Sequence, residues 1–232
     1  YMTQIKDYST ENKMTFNTFL SKVFTFVFVG LALTSVVAFV TSLFIVQHYE
    51  LFASLSLFIF IAQFVVVIYF SSRIMRMSKT SAWICYLFYS ITMGITFATL
   101  PLIYDGGSIV FAVIVTTVMF GCMAFIGHTT KVDLSKYSSI FFFGLLATIV
   151  VSFINMFIGS SGIDMIMNYA IVILFLGLIA YDMQAMRNLY LVGIDDSEMY
   201  DKMMILGAFE LYTDFLNLFL RILAIFGNSS DN

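Results

Sequence analysis

The sequence predicts an all-α membrane protein that folds as a bundle of seven transmembrane helices. Three observations indicate this fold class: 61% of the 232 residues are hydrophobic, only 11% are charged, and the mean hydropathy is +0.98. A soluble domain is about half apolar and about a quarter charged. Seven spans of about 20 residues use about 140 residues, which leaves short loops and no room for a soluble domain.

Seven apolar runs divide the chain, and each is close to the length that a helix needs to cross about 30 Å of hydrocarbon. The runs cover residues 23–46, 51–70, 82–104, 109–126, 140–158, 165–189 and 203–226. Strands are not expected, because membrane barrels show runs of about ten residues with strict alternation. We therefore predict a cytoplasmic N-terminal segment (1–22), one seven-helix domain (23–227) and a short C-terminal tail (228–232).

The positions of the basic residues predict the orientation, because Lys and Arg are retained on the cytoplasmic side of a membrane. Basic residues precede run one and lie between or beside runs two and three, four and five, and six and seven: Lys6, Lys13, Lys22, Arg73, Arg76, Lys79, Lys131, Lys136, Arg187 and Lys202. The opposite loops, around His48, Asp105 and Asp164, contain no Lys or Arg. This alternation places the N-terminus in the cytoplasm and the C-terminus outside.

The seventh run carries a polar stripe that consists of Glu210, Asp214, Asn217 and Arg221. Spacings of four, three and four residues place these side chains on one helical face. Ionisable groups at membrane depth cost from about 2.5 kcal/mol upward each, so they normally face protein or water. The stripe predicts that helix seven is surrounded by the other helices. An alternative stays open for its two ends, where Glu210 would lie near the inner interface and Arg221 would extend outward.

A second intramembrane carboxylate, Asp182, lies near the end of the sixth run. If the following turn spans about 191–202, Asp182 lies about ten residues before it and Asp214 about a dozen after it. Both carboxylates would then lie some 15–18 Å from the same end of two antiparallel helices. We expect them to come within hydrogen-bond reach, although two independently capped residues remain the alternative.

A close carboxyl pair in a low-dielectric site would have a specific chemistry. Both groups cannot easily be ionised there, so they would share one proton and act as a proton switch near neutral pH. Oxygen ligands also suit hard ions, which makes Asp182 and Asp214 a candidate calcium site. Two carboxylates are too few for tight calcium binding, so this arrangement favours a leak pathway over a high-affinity store.

Two arginines at the end of the second run, Arg73 and Arg76, are candidates to fold back onto Asp182 and close the inner mouth. The alternative is that both serve only as the positive-inside signal.

Other polar and small residues inside the runs are expected to join helices. We expect side chains such as Gln63 and Asn155 to hydrogen-bond between helices. Three glycines are expected to permit close helix contact: Gly94, Gly121 and Gly144.

Four segments resemble the Bax inhibitor-1 (transmembrane Bax inhibitor motif) family. They are 93–96 (Met-Gly-Ile-Thr), 129–135 (Thr-Thr-Lys-Val-Asp-Leu-Ser), 178–182 (Leu-Ile-Ala-Tyr-Asp) and 211–220 (Leu-Tyr-Thr-Asp-Phe-Leu-Asn-Leu-Phe-Leu). The likeness covers the chain from about residue 24 to residue 227, and the short loops are similar to those of bacterial members. The resemblance implies a multi-pass protein of the bacterial inner membrane with helix seven at its centre.

The resemblance also implies a function, a pH-sensitive calcium leak with a paired-aspartate sensor and an arginine that latches one aspartate. Carried over residue by residue, the sensor is Asp182 and Asp214. Both Arg73 and Arg76 fit the latch, and the spacing to Gly94 favours Arg76. Some relatives carry a glutamate in helix two, where this chain has Gln63.

An intramembrane aspartyl protease is the alternative function, because two aspartates on neighbouring helices superficially match that chemistry. That class of enzyme has a Gly-x-Gly-Asp context, whereas Leu-Tyr-Thr precedes Asp214 here, and its Pro-Ala-Leu element is missing. We therefore expect no enzyme and no cofactor. The expected partners are the lipid bilayer, calcium and protons, and self-association is left open. The net charge of −3 argues against nucleic acid.

Overall fold

The computed structural model describes residues 15–45, 47–193 and 196–228. Within these ranges it contains seven helices that are long and apolar enough to cross a membrane, and no strand. The helices are α1 (Phe16–Ile45), α2 (Tyr49–Arg73), α3 (Lys79–Phe97), α4 (Gly106–Thr129), α5 (Ser138–Ile158), α6 (Ser161–Gly193) and α7 (Ser197–Phe226). The predicted fold class is confirmed, and the orientation of the termini stays a prediction.

Two short elements complete the described chain. A helical turn over Leu100–Ile103, with Pro101 in its first turn, continues the third span after α3 ends at Phe97. A 3₁₀ helix over Leu134–Tyr137 leads into α5. Neither element forms a layer of its own, so the architecture is a single helical bundle.

Two helix boundaries differ from the hydropathy prediction. Helix α1 begins at Phe16, seven residues before the apolar run, because its first turns already bury Phe19. Helix α7 begins at Ser197, so the turn predicted over 191–202 is too long. The carboxylate of Asp196 accepts hydrogen bonds from the backbone N–H groups of Glu198 and Met199. This N-cap starts the helix six residues before its apolar run.

Helix α7 lies at the centre of the bundle, as the polar stripe predicts. Of the most apolar 18 residues of α7, 67% are buried, compared with 6% in α2 and in α5. Helix α7 packs against α1, α3, α4 and α6. Phe70 of α2 also contacts it through the ring of Phe209, with 4.7 Å between ring centroids. The exposed apolar side chains of α2 and α5 suit contact with the bilayer.

A hydrogen-bonded core joins α1, α3 and α7. The Tyr212 hydroxyl lies 2.6 Å from Thr34 Oγ1, which donates to the backbone carbonyl of Ser90 at 3.0 Å. The backbones of α1 and α3 approach closely at Gly94, where a Cβ would lie 2.8 Å from the carbonyl oxygen of Thr34. Polar groups in this core are therefore satisfied inside the bundle, as a lipid environment requires.

The predictions for residues that join helices are confirmed at some positions and wrong at one. Gln63 Nε2 of α2 donates to Thr96 Oγ1 of α3 at 2.8 Å, as expected. A Cβ on Gly144 would lie 2.7 Å from the Leu174 side chain of α6, so this glycine also marks a helix contact. The prediction for Gly121 is wrong, because no described atom lies within 4 Å of the position its Cβ would occupy.

The closest approach of α4 to α6 occurs instead at Gly127. A Cβ at this position would lie 2.2 Å from the backbone oxygen and 2.8 Å from the Cα of Ala180. Both atoms belong to the α6 backbone, which has little freedom to move aside. The glycine is therefore required for the α4–α6 contact, which lies two residues from Asp182.

We predict that Gly127→Ala lowers the stability of the protein by about 1–3 kcal/mol, because the added methyl group forces the two backbones apart. The apparent unfolding temperature in detergent micelles measures this effect. Gly121→Ala on the same helix is the matched control, and it should leave stability unchanged or raise it by up to about 1 kcal/mol. Equal unfolding temperatures for the two variants would contradict the packing argument.

Candidate functional site

The structure brings the carboxyl groups of Asp182 on α6 and Asp214 on α7 together, close enough for a side-chain hydrogen bond. An ionised carboxylate can only accept, so a hydrogen bond between the two groups requires a proton on one of them. Asp214 is 6% exposed, and its Oδ2 atom has no hydrogen-bond partner among the described residues. Asp182 is half-buried. The structure thus places two neighbouring carboxyl groups inside the bundle.

Asp182 and Asp214 lie at different distances along the chain from the α6–α7 turn, which was not predicted from the sequence. Asp182 lies eleven residues before Gly193, whereas Asp214 lies seventeen residues after Ser197 instead of about a dozen. The first turn of α7 extends past the end of α6, because Gly193 packs directly against the backbone of Tyr200. This offset compensates for much of the longer stretch that precedes Asp214.

A third carboxyl group, that of Glu210, lies one turn before Asp214 on α7. Glu210 is half-buried, and its charge acts on both aspartates. No group of three or more His, Cys, Asp or Glu side chains in the described ranges is arranged to hold a metal ion. The site therefore consists of the Asp182–Asp214 pair with a third carboxyl group, Glu210, nearby.

The rest of the polar stripe does not join this site. Asn217 is exposed, and its Nδ2 atom donates to the backbone oxygen of Thr213 on the same helix at 2.9 Å. Arg221 Nη1 donates to Asn168 Oδ1 of α6 at 3.1 Å, close enough to Asp164 for their charges to interact. Arg221 thus extends toward the end of the bundle opposite the α6–α7 turn.

A second polar cluster surrounds that arginine. Asp164 Oδ1 accepts a hydrogen bond from Asn155 Nδ2 of α5 at 2.6 Å. Asn155 also bonds Ser160 through its amide nitrogen and through its amide oxygen, and it is buried. The expectation that Asn155 hydrogen-bonds between helices is confirmed.

Neither candidate latch arginine contacts Asp182. Arg73 and Arg76 are exposed, and the structure shows no hydrogen bond or ion pair for either side chain among the described residues. Ile74 and Met77, which alternate with them, are buried. This alternation turns both guanidinium groups outward, and the latch stays a prediction.

Sequence reasoning missed the role of Lys202. Its side chain is only 7% exposed, and Nζ lies 3.5 Å from the backbone oxygen of Met75, just after α2 ends. The charge faces unpaired carbonyl groups at a helix C-terminus, where a cation is stabilised. The following Met203 and Met204 were the available signal, because they place Lys202 beside an apolar face. Counting it as a positive-inside residue concealed its burial.

A second connection missed from the sequence lies between the starts of α3 and α7. Lys79 Nζ forms an ion pair with Asp201, and the Lys79 backbone N–H donates to Glu198. Together with Lys202, this ion pair fixes the first turns of the central helix to the 74–79 turn.

The fold and the site define a class: polytopic membrane proteins with a close pair of carboxyl groups between the last two of their seven described spans. The family described as "Inhibitor of apoptosis-promoting Bax1" matches residues 16–231. The chain therefore belongs to the Bax inhibitor-1 family, as the four segments suggested.

Curated relatives agree with this assignment. The chain is 35% identical to "Inner membrane protein YbhL" of Escherichia coli K12 over 214 residues, which are 91% of this chain and 92% of the relative. It is 37% identical to an uncharacterized protein of Deinococcus radiodurans over 217 residues (92% and 91%). An uncharacterized membrane protein of Streptococcus pyogenes serotype M1 is 28% identical over 226 residues (95% and 96%). A bacterial inner-membrane location fits these names and the seven spans.

We predict that Asn155→Ala lowers stability by about 1–3 kcal/mol, because it leaves buried partners of a hydrogen-bonded cluster unsatisfied. Asn217→Ala is the matched control, since it removes an exposed amide that bonds only its own helix, and its effect should be below about 0.5 kcal/mol. Unfolding temperatures in the same detergent compare the two variants. A larger loss for Asn217→Ala would refute the assignment of Asn155 to the structural cluster.

Proposed function

We propose that this protein is a pH-sensitive leak pathway for calcium, in which the Asp182–Asp214 pair senses protons. The observation that supports the proposal is the close approach of two carboxyl groups inside the bundle, within reach of a hydrogen bond. Such a bond exists only while one proton is shared, so its loss changes the charge between α6 and α7 by a full unit. Transport therefore responds to pH through these two residues.

The direction of the response follows from the latch. While the proton is shared, Asp182 is engaged with Asp214 and does not hold an arginine; in the structure the hydrogen-bonded pair occurs together with outward-facing Arg73 and Arg76. When the proton leaves, two like charges face each other, and an arginine near Asp182 relieves the repulsion. An arginine bound there closes the inner mouth. The leak should therefore increase as the pH falls.

Calcium is the proposed ion because the acidic side chains offer oxygen ligands, which hard divalent cations prefer. Asp182, Asp214 and Glu210 supply negative charge along one part of α6 and α7. While the proton is shared, the pair carries one negative charge and would coordinate a passing ion weakly, since calcium normally takes six to eight oxygens. Weak coordination suits a leak, because the ion must also leave.

The first test is calcium flux into liposomes that contain the purified full-length protein, measured between about pH 6 and pH 8. We predict that the wild-type rate rises toward the acidic end and that Asp182→Asn and Asp214→Asn each flatten this profile. The matched control is Asp105→Asn, because Asp105 caps α4 outside the spans, where the Ser108 hydroxyl and backbone N–H hold its pKa below the usual range. Asparagine caps equally well, so this variant should keep the wild-type profile.

An unchanged pH profile in both pair variants would overturn the sensor assignment. The same proteins should be tested on a membrane-spanning reporter substrate, because aspartic proteases also use two carboxyl groups that share a proton. Cleavage that disappears in both Asp→Asn variants, without calcium flux in the wild type, would replace the leak by intramembrane proteolysis.

The latch makes a separate prediction. Arg76→Ala should raise the calcium leak at about pH 8, where the wild-type pathway is closed, and should leave the rate near pH 6 unchanged. Arg73→Ala distinguishes the two candidates, and Lys136→Gln controls for the loss of one exposed basic residue. No increase with Arg73 or Arg76 altered, singly or together, would exclude the latch while leaving the proton sensor standing.

A further inference from the structure

A polar cavity of about 560 Å³ lies at the ends of α4 and α6. The last turn of α4, the 130–135 segment that leads into the 3₁₀ helix, and residues 181–188 of α6 line it. The volume is within the range of roughly 300–1,000 Å³ that is typical of small-molecule sites. The lining includes most of the 129–135 segment, whose residues have no part in the proton sensor.

The charges of the lining favour an anion. Lys131 and Arg187 contribute two positive charges, and the imidazole ring of His128 lies beside them in the lining. Asp133 is the acidic side chain among the described lining residues, and its carboxylate already accepts from the backbone N–H and hydroxyl of Ser135 at 3.1 and 2.6 Å. Lys131, in contrast, makes no hydrogen bond or ion pair within the described ranges.

Two sets of contacts, made by Gln184 and by Phe16, hold the cavity in shape. Gln184 of α6 clamps the loop, since its Oε1 atom accepts from the Leu134 N–H and its Nε2 atom donates to the Val132 carbonyl oxygen, both at 2.7 Å. On the other side, the ring of Phe16 stacks with His128 at 5.9 Å between centroids, and the Arg187 guanidinium lies 5.9 Å from the same ring. The loop and the Arg187 guanidinium are therefore positioned before any ligand arrives.

We propose that this cavity binds the phosphate group of an anionic ligand, with Lys131 and Arg187 as its principal contacts. The cavity opens where two membrane-spanning helices end, at the level of lipid headgroups, and basic pockets between transmembrane helices bind anionic headgroups. Arg187 suits phosphate through its planar fork of donors, and Lys131 provides a mobile point charge. Phosphate reaches this level either as a phospholipid headgroup or as a free anion.

The test uses full-length protein in nanodiscs that contain phosphatidylcholine with a minor fraction of phosphatidylglycerol, and native mass spectrometry measures which lipid stays bound. We expect wild-type protein to enrich phosphatidylglycerol, and we expect Lys131→Gln and Arg187→Gln each to reduce that enrichment about fivefold. Lys136→Gln is the matched control, because Lys136 is an exposed lysine of the adjacent 3₁₀ helix that does not line the cavity.

A second arm separates the two sources of phosphate. If inorganic phosphate raises the unfolding temperature of wild-type and Lys136→Gln protein but not of the Lys131→Gln/Arg187→Gln double variant, while no lipid preference is seen, the site takes the free anion. Retention of phosphatidylglycerol enrichment and of phosphate stabilisation by the double variant would overturn the proposal. An equal loss in Lys136→Gln would overturn it as well, since the effect would then reflect general surface charge.

Discussion

Burial of acidic side chains in the middle of a membrane-spanning bundle is the constraint that organises this protein. Asp214 has to be shielded from lipid, and the available shield is the other helices, so α7 occupies the centre. Another side of α7 buries a neutral polar group. Tyr212 is fully buried there, and its hydroxyl lies against that of Thr34. Helices α2 and α5, which have no buried charged side chain, are left at the periphery facing lipid.

Asp182 and Asp214 lie next to each other in the bundle interior, where two carboxyl groups cannot easily both be ionised. With one proton between them, the pair carries a single negative charge that the hydrogen bond delocalises over two groups. Without it, two buried carboxylates would face each other, with Glu210 one turn away. The proposed proton sensor therefore requires packing at the α6–α7 interface that accommodates both charge states of the pair.

The sequence was informative where hydropathy and periodicity decide the outcome. Seven apolar runs and a polar stripe on the last one were sufficient for the spans and for the central place of α7. Side-chain direction near helix ends was not predictable in this way: Lys202 and Arg76 are both basic residues beside the α2–α3 turn, yet one is buried and the other exposed. Gly121 failed as a contact because hydropathy does not separate a lipid-facing helix surface from a protein-facing one.

The position of the α2 end limits how a latch can operate. The turn after α2 is held by Lys202 at the carbonyl oxygen of Met75 and by the buried side chains of Ile74 and Met77. An arginine next to these residues cannot turn inward while both stay buried, because neighbouring positions on this turn point in opposite directions. Closure of the inner mouth by the proposed latch would therefore require the turn to rotate and Lys202 to exchange its carbonyl partner. Helix α2 is well placed for such a rotation, because only 6% of its most apolar 18 residues are buried against other helices.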